Sequence, residues 1–490
     1  MILTLVVFAV AVVLWTCTPL DDTFVALTAV VVLLLFGVLP ASSLAVLGGS
    51  TTWLLIAAFV LACGVSASGL PTRLASSLVG RARSVRGLMH LTAFALLLTA
   101  FFVPSTSGRA ALVLPVHSAL RQRLNPRVSR ALGVLFPSVI LLTAVATLVG
   151  AGAHLITSAL LEQATGEGIG FGQWLLLGLP LAVVSAHVTA EVVLWLFTTR
   201  ADRAEPLARV LEAAPKAAAR APEAGPRTAA RAPEAAPKAG GRAPEAGPRT
   251  TARAPEAGPR TAARVLEAAP KAAARAVKAA PKAVTSALSA LTRQEITSLA
   301  ILATVSAAWL TEPWHHVPPE VTALAGAVAI TTPRLGTTTL KRAMSEIPWS
   351  LLLFMAATTA LGTALVTSGA ARAVAGLISP AHLLPTVIAV SLCAHLVIQS
   401  RSARSSVLVP IVIPLAAAAG MNPAALAFAS TAAAGFCHTF TSSAKPVALF
   451  SDAYRPKDLL RLSAVLAPIT GALVLACAVF LWPLLGLPLK

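Results

Sequence analysis

The sequence predicts an all-α polytopic membrane protein: an inverted repeat of about ten transmembrane helices with two re-entrant hairpins and a disordered cytoplasmic insert. Three observations carry this reading. Of 490 residues, 57% are hydrophobic and only 12% charged, and apolar runs long enough to cross a bilayer recur along most of the chain. An arginine-rich repeat divides the apolar sequence into two halves. In each half, one long apolar segment is interrupted at its middle by a Ser-x-Ser-small-Arg motif.

In the first half the apolar segments run over 2–16, 23–39, 51–69, 88–120, 131–161 and 173–198. Residues 1–16 have the length of a signal peptide but no basic start and no clear small-residue cleavage site before Asp21-Asp22, so they read as a retained membrane helix. The segment 88–120 is bracketed by Arg73, Arg81, Arg83 and Arg86 before it and by Arg121, Arg123, Arg127 and Arg130 after it. Positive flanks stay in the cytoplasm. A segment with both ends inside dips into the bilayer and returns, and Pro104-Ser105-Thr106-Ser107-Gly108-Arg109 is where its helix breaks. Non-helical backbone at that depth is tolerated where protein or a water-filled cavity receives it, which points to a binding site.

Between the halves, the interval 200–293 holds 18 Lys/Arg against 8 Asp/Glu, roughly half of the formal net charge of +19. Arginines at 209, 220, 231, 242, 253, 264 and 275 repeat every eleven residues, and the central units carry two prolines each, such as Pro222 and Pro226. Proline at that density removes amide donors and breaks helices, so the insert reads as extended, solvated chain held in the cytoplasm by its charge. It reads as a tolerated linker that carries no catalytic chemistry, and contact of its basic residues with anionic lipid headgroups is the alternative reading. The remaining positive charge borders membrane segments, where topology accounts for it without nucleic acid.

In the second half the segments run over 295–311, 317–332, 348–367, 383–419, 424–450 and 462–487. The flanks of 383–419 are nearly free of basic residues and lie outside, whereas Arg334 to Arg342 and Arg455 to Arg461 fall inside. The copy is therefore inverted, and residues 1–199 and 294–490 form the two repeats, with both termini outside. Opposed repeats with broken helices at the midplane are the architecture of alternating-access carriers.

Aligning Leu-Pro115-Val on Val-Pro410-Ile superposes Ser105, Thr106, Ser107 and Arg109 on Ser400, Arg401, Ser402 and Arg404. Hydroxyls at a tip, free amides of the helix that follows and a planar guanidinium suit a carboxylate or oxyanion. A charged residue at bilayer depth costs at least about 2.5–3.5 kcal/mol and is seldom kept without a partner. The other reading is that Arg109 and Arg404 bond carbonyls and pin the tips. A second polar break follows each tip, at Gly150 to His154 and at Thr439 to Pro446, and Lys445 there offers auxiliary charge for an anion. His154, His395 and His438 are candidate proton carriers or satisfied interior histidines. His187 and Glu191, one turn apart, suit a proton relay or an ion pair.

Cys17, Cys63, Cys393, Cys437 and Cys477 are scattered, with no metal-ligand spacing, so neither a disulfide framework nor a metal site is expected. No G-x-S-x-G elbow or HExxH helix marks a membrane-embedded hydrolase, and no cofactor other than a coupling ion is implied.

Taken together, the stretches WLLIAAFVLACGVSASGLPTR (53–73), IPWSLLLFMAATTALGTALVTSG (347–369), STSGRAALVLPV and SRSARSSVLVPIVIP resemble the divalent anion/sodium symporter family, carriers of dicarboxylates, citrate and sulfate within the wider ion-transporter superfamily. The resemblance spans the chain outside the insert. It implies a homodimer in the cell membrane with a scaffold domain and a moving, elevator-like transport domain. It also implies that Ser105, Thr106, Ser107, Ser400, Arg401 and Ser402 occupy the Ser-Asn-Thr tips that bind substrate and sodium. Ser105, Gly150, His154, Ser400, Ser442 and Ser443 would then stand at the cation positions. Neither tip keeps its Asn, and a guanidinium beside a cation site repels the cation. Sodium coupling, proton coupling, exchange and uniport all stay open. The expected function is secondary transport of a small anion, a dicarboxylate or an inorganic oxyanion. The related alternative, a cation/proton antiporter or arsenite-type permease, calls for intramembrane carboxylates, which are scarce here.

Overall fold

The computed structural model describes residues 1–18, 20–103, 105–204, 291–370, 373, 382–398 and 400–490, so the predicted insert lies, from 205 to 290, outside the described residues. Among the described residues every regular element is helical. Seven of these helices are long and apolar enough to cross a membrane, among them Val85–Phe102, Pro126–Ala146, Phe171–Phe197 and Arg401–Ala418, and five shorter apolar helices accompany them. This is the predicted all-α polytopic membrane protein. Large apolar side chains such as Leu35, Phe36, Phe480 and Leu484 stand exposed on the outer faces, where hydrocarbon rather than water is the stable neighbour.

The first half comprises α1 (Ile2–Cys17), α2 (Asp22–Leu35), α3 (Ser50–Ala67), α4 (Leu70–Val79), α5 (Val85–Phe102), α6 (Thr106–Arg121), α7 (Pro126–Leu142), α8 (Gly152–Thr165) and α9 (Phe171–Phe197). The second comprises α10 (Arg293–Leu310), α11 (Pro319–Thr331), α12 (Leu340–Glu346), α13 (Trp349–Thr367), α14 (Leu383–Cys393), α15 (Arg401–Ala418), α16 (Pro423–Ala433), α17 (Lys445–Leu449) and α18 (Pro456–Ala476).

Matching local chemistry shapes both halves. α3 and α13 each stop at a Ser-Gly pair in which the glycine has positive φ, +78° at Gly69 and +74° at Gly369, a conformation closed to most residues with a Cβ. In each pair the serine, Ser68 or Ser368, folds its hydroxyl back onto the helix. α7 and α16 each start at Asn-Pro: Asn125 accepts from the amides of Arg127 and Val128, and Asn422 from those of Ala424 and Ala425. The proline sits at the first helical position, where no amide is needed.

Packing between the halves is reciprocal. α3 packs on α11 while α13 packs on α2. Gly64 makes the first of these contacts close, because a Cβ there would run into Ile330 of α11; a Cβ at Gly326 would come within 3.2 Å of Leu61 of α3 and run into Val305 of α10. Nearer the centre, α15 packs on α8 and α17 on α6, so the helix leaving each tip lies against the helix that follows the other half's polar break. The Thr157 and Thr431 hydroxyls, 2.6 Å apart, join α8 to α16. α7 is buried along nearly its whole length and forms the hub.

Candidate functional site

Of two helix–break–helix units, the first packs its α5 and α6 directly on α7, and the second reaches the end of α7 through Arg401. Between α5 and α6 the tip runs through Ser105, whose Oγ accepts from the Gly108 amide at 3.2 Å. Between η-helical Ala394–Leu396 and α15 the tip runs through Ser400, whose Oγ accepts from the Ala403 amide at 3.3 Å. Each tip serine is thus an N-cap. Ser105, Thr106, Ser107, Ser400, Arg401 and Ser402 are all half-buried.

The two arginines at matched positions are used differently. Arg109 is 0% exposed. Its Nε donates to Thr99 Oγ1 (2.9 Å), Nη1 to the Ile140 carbonyl (3.0 Å), and Nη2 to the Leu96 carbonyl (2.6 Å) and Thr143 Oγ1 (2.8 Å). Every nitrogen is satisfied by protein. Arg404 is also 0% exposed, yet among the described residues only Nη1 has a partner, the Phe436 carbonyl at 3.3 Å, and Nε and Nη2 have none. Arg401 reaches the Leu141 carbonyl at 3.4 Å through Nη1 and leaves Nε unbonded. Among the described residues none of the three forms an ion pair with a carboxylate.

The polar breaks are longer than the sequence suggested and begin earlier. In the first half the backbone leaves α-helix at Thr143 and re-enters at Gly152, through two short 3-10 turns. His154, predicted within the break, therefore sits in the first turn of α8, its Nδ1 on the Thr147 carbonyl and its ring stacked on Trp174. Gly150 is buried, with no room for a Cβ against the Ala144 carbonyl. In the second half the irregular run extends from Ala434 to Ala444. Ser443 is buried and caps the Phe440 amide, while Ser442 and Lys445 are exposed. Lys445 thus stands at the edge of the arrangement rather than buried within it.

The second tip lies against both breaks. Ser402 Oγ faces Gly152, and Arg401 Nη2 faces Gly435, each close enough that a glycine Cβ there would touch it. Beside the Phe436 ring, both ring nitrogens of the buried His438 lack a partner among the described residues. His395 is held by the Leu392 carbonyl and Thr439 Oγ1, which continues to Ser463. Asp22, at the start of α2, lies near enough to Ser400 and Lys445 to interact with both. Nothing in the local sequence ties Asp22 to residue 400, because the relation arises only from the packing of α2 across the halves.

His187 and Glu191 belong to a separate cluster. His187 Nδ1 meets His90 Nδ1 at 2.8 Å, and His90 Nε2 meets Glu191 Oε1 at 2.7 Å. Arg86 donates to the same oxygen through Nε and Nη2. This network clamps α5 to α9, and Arg86 and His90 were not foreseen as its members.

Two interrupted helices whose tips carry hydroxyls and buried cationic nitrogens, in a chain with seven helices long and apolar enough to cross a membrane, suit a multi-pass membrane transporter. Residues 11–433 match the profile of the citrate transporter family, CitMHS, and the chain belongs to that family. The match accords with the resemblance of its motifs to the ion-transporter superfamily. No curated protein sequence matches the chain significantly. Among solved structures, the YdaH transporter of Alcanivorax borkumensis aligns over 99% of this chain and 98% of its own at 17% identity and a TM-score of 0.45.

Proposed function

We propose that this chain is a secondary carrier of small multivalent organic anions of the citrate type, working by elevator-like alternating access in the plasma membrane, with the second tip as its main anion contact. The observation that carries the reading is Arg404: fully buried, held by one carbonyl, with two guanidinium nitrogens left unbonded. Leaving a buried charged donor unsatisfied is costly, so a ligand that completes it is favoured. A carboxylate accepts two parallel bonds from such a fork. Arg401, with a free Nε beside the same tip, suits a second carboxylate, and the hydroxyls of Ser400 and Ser402 suit further oxygens.

The reciprocal packing of α3 on α11 and α2 on α13 supports the division into inverted repeats 1–199 and 294–490. Uptake into proteoliposomes of radiolabelled citrate, succinate, sulfate and phosphate, with and without a sodium gradient, tests the proposal. Citrate or a dicarboxylate should accumulate; uptake of none of them would reject it.

A further inference from the structure

We propose that the first tip contains a built-in cation: the Arg109 guanidinium occupies a seat of neutral oxygens and acts as a positioning residue for the tip, not as a contact for the anion. Only the uptake arm of its test rests on the carrier reading above.

The seat is assembled from three elements. α5 supplies the Leu96 carbonyl and Thr99 hydroxyl, the end of α7 supplies the Ile140 carbonyl, and the first residue of the break supplies the Thr143 hydroxyl. Ile140 lies in the last turn of α7, so its carbonyl has no partner within the helix and belongs to the negative end of the helix dipole. Carbonyls at interrupted helix ends, together with hydroxyls, are the donors with which membrane carriers hold a small monovalent cation. Here a tethered guanidinium takes them all. A free sodium ion does not fit among these oxygens while Arg109 is present: the acceptors are engaged, and the ion would meet a like charge.

The geometry also divides labour between the matched arginines. Arg109 ties α5, α6 and α7 into one unit with a protein partner on every nitrogen, whereas Arg404 has two nitrogens without one. Replacing Arg109 by alanine vacates a seat shaped for a planar cation, and free guanidinium should refill it.

The experiment measures the unfolding midpoint of full-length protein in detergent with about 10 mM guanidinium chloride, sodium chloride or choline chloride, a concentration far below that needed to denature. Arg109→Ala should melt lower than the parent, and guanidinium, but not choline, should raise it; the parent should respond to neither. In proteoliposomes, Arg109→Lys should keep the anion KM within about twofold and lower the rate, while Arg404→Lys should raise KM about tenfold. Arg109→Ala unmoved by guanidinium or sodium, or a raised KM in Arg109→Lys, would overturn the proposal. If Arg109→Ala does not fold, the KM comparison decides. If no anion is transported by the parent, the carrier reading fails, and the melting response still decides the seat.

Discussion

Arg404 and Phe436 are joined by a single 3.3 Å hydrogen bond from Nη1 to the Phe436 carbonyl, and among the described residues this is the only partner of a fully buried guanidinium. Phe436 lies in the irregular run after α16, so the bond fixes the second tip to its own half's break while two nitrogens stay free. Replacing Arg404 by glutamine removes both the charge and the fork. A hydrogen bond to a charged group contributes about 1.5–3 kcal/mol, so citrate affinity measured by calorimetry should fall about ten- to hundredfold. Affinity unchanged within about twofold would exclude Arg404 as a ligand.

Glu191 gathers His90 at 2.7 Å and Arg86 at 2.6 Å and 2.9 Å. His90 is buried, but the Arg86 side chain is 53% exposed, so water screens that bond. Glu191→Gln is expected to destabilise the protein by about 1–3 kcal/mol, and Arg86→Gln by less than about 1 kcal/mol. Denaturation in detergent reads both. A larger loss in the Arg86 variant would show that the clamp depends on the exposed charge.

Gly150 leaves no space for a side chain, since its Cβ would run into the Ala144 carbonyl and come within 3.0 Å of Thr147 Oγ1. Gly150→Ala should force the first break to shift, at a cost of about 1–3 kcal/mol, and should slow uptake. Gly172, at the start of α9, has nothing within 4 Å of the same position. Gly172→Ala is therefore the matched control and should leave both stability and uptake unchanged.

Thr157 and Thr431 couple the halves through hydroxyls 2.6 Å apart. A double-mutant cycle with valine at each site should give a coupling of about 1 kcal/mol in unfolding free energy. Additive effects would mean that the two helices are not joined there.

Much of this arrangement was legible in the sequence because membrane insertion leaves strong local marks. Apolar run length placed the helices, and the paired Ser-x-Ser-small-Arg motifs placed the tips where Ser105 and Ser400 cap α6 and α15. The Asn-Pro starts at 125 and 422 and the Ser-Gly stops at 68 and 368 were passed over in the sequence, although each rests on a backbone requirement that only a few residue types meet. What was not legible depends on which oxygen stands near which nitrogen. Arg109 and Arg404 look alike as a motif, and only the packing of Thr99, Ile140 and Thr143 around one of them separates their roles. His154 was misplaced for a similar reason: the start of α8 follows from how Thr143 to Ala151 fold, not from the glycines alone. Arg86 and His90 lie about a hundred residues before their partner Glu191, so no periodicity links them.

The central claim is that the second tip holds the anion through Arg404, and a density map of the protein with citrate bound in detergent tests it most directly. The account predicts a carboxylate within hydrogen-bond distance of Arg404 Nε and Nη2, with the Arg109 guanidinium still on its four oxygens. Citrate density away from residue 404, or Arg404 bonded through all its nitrogens to protein with the ligand present, would contradict it.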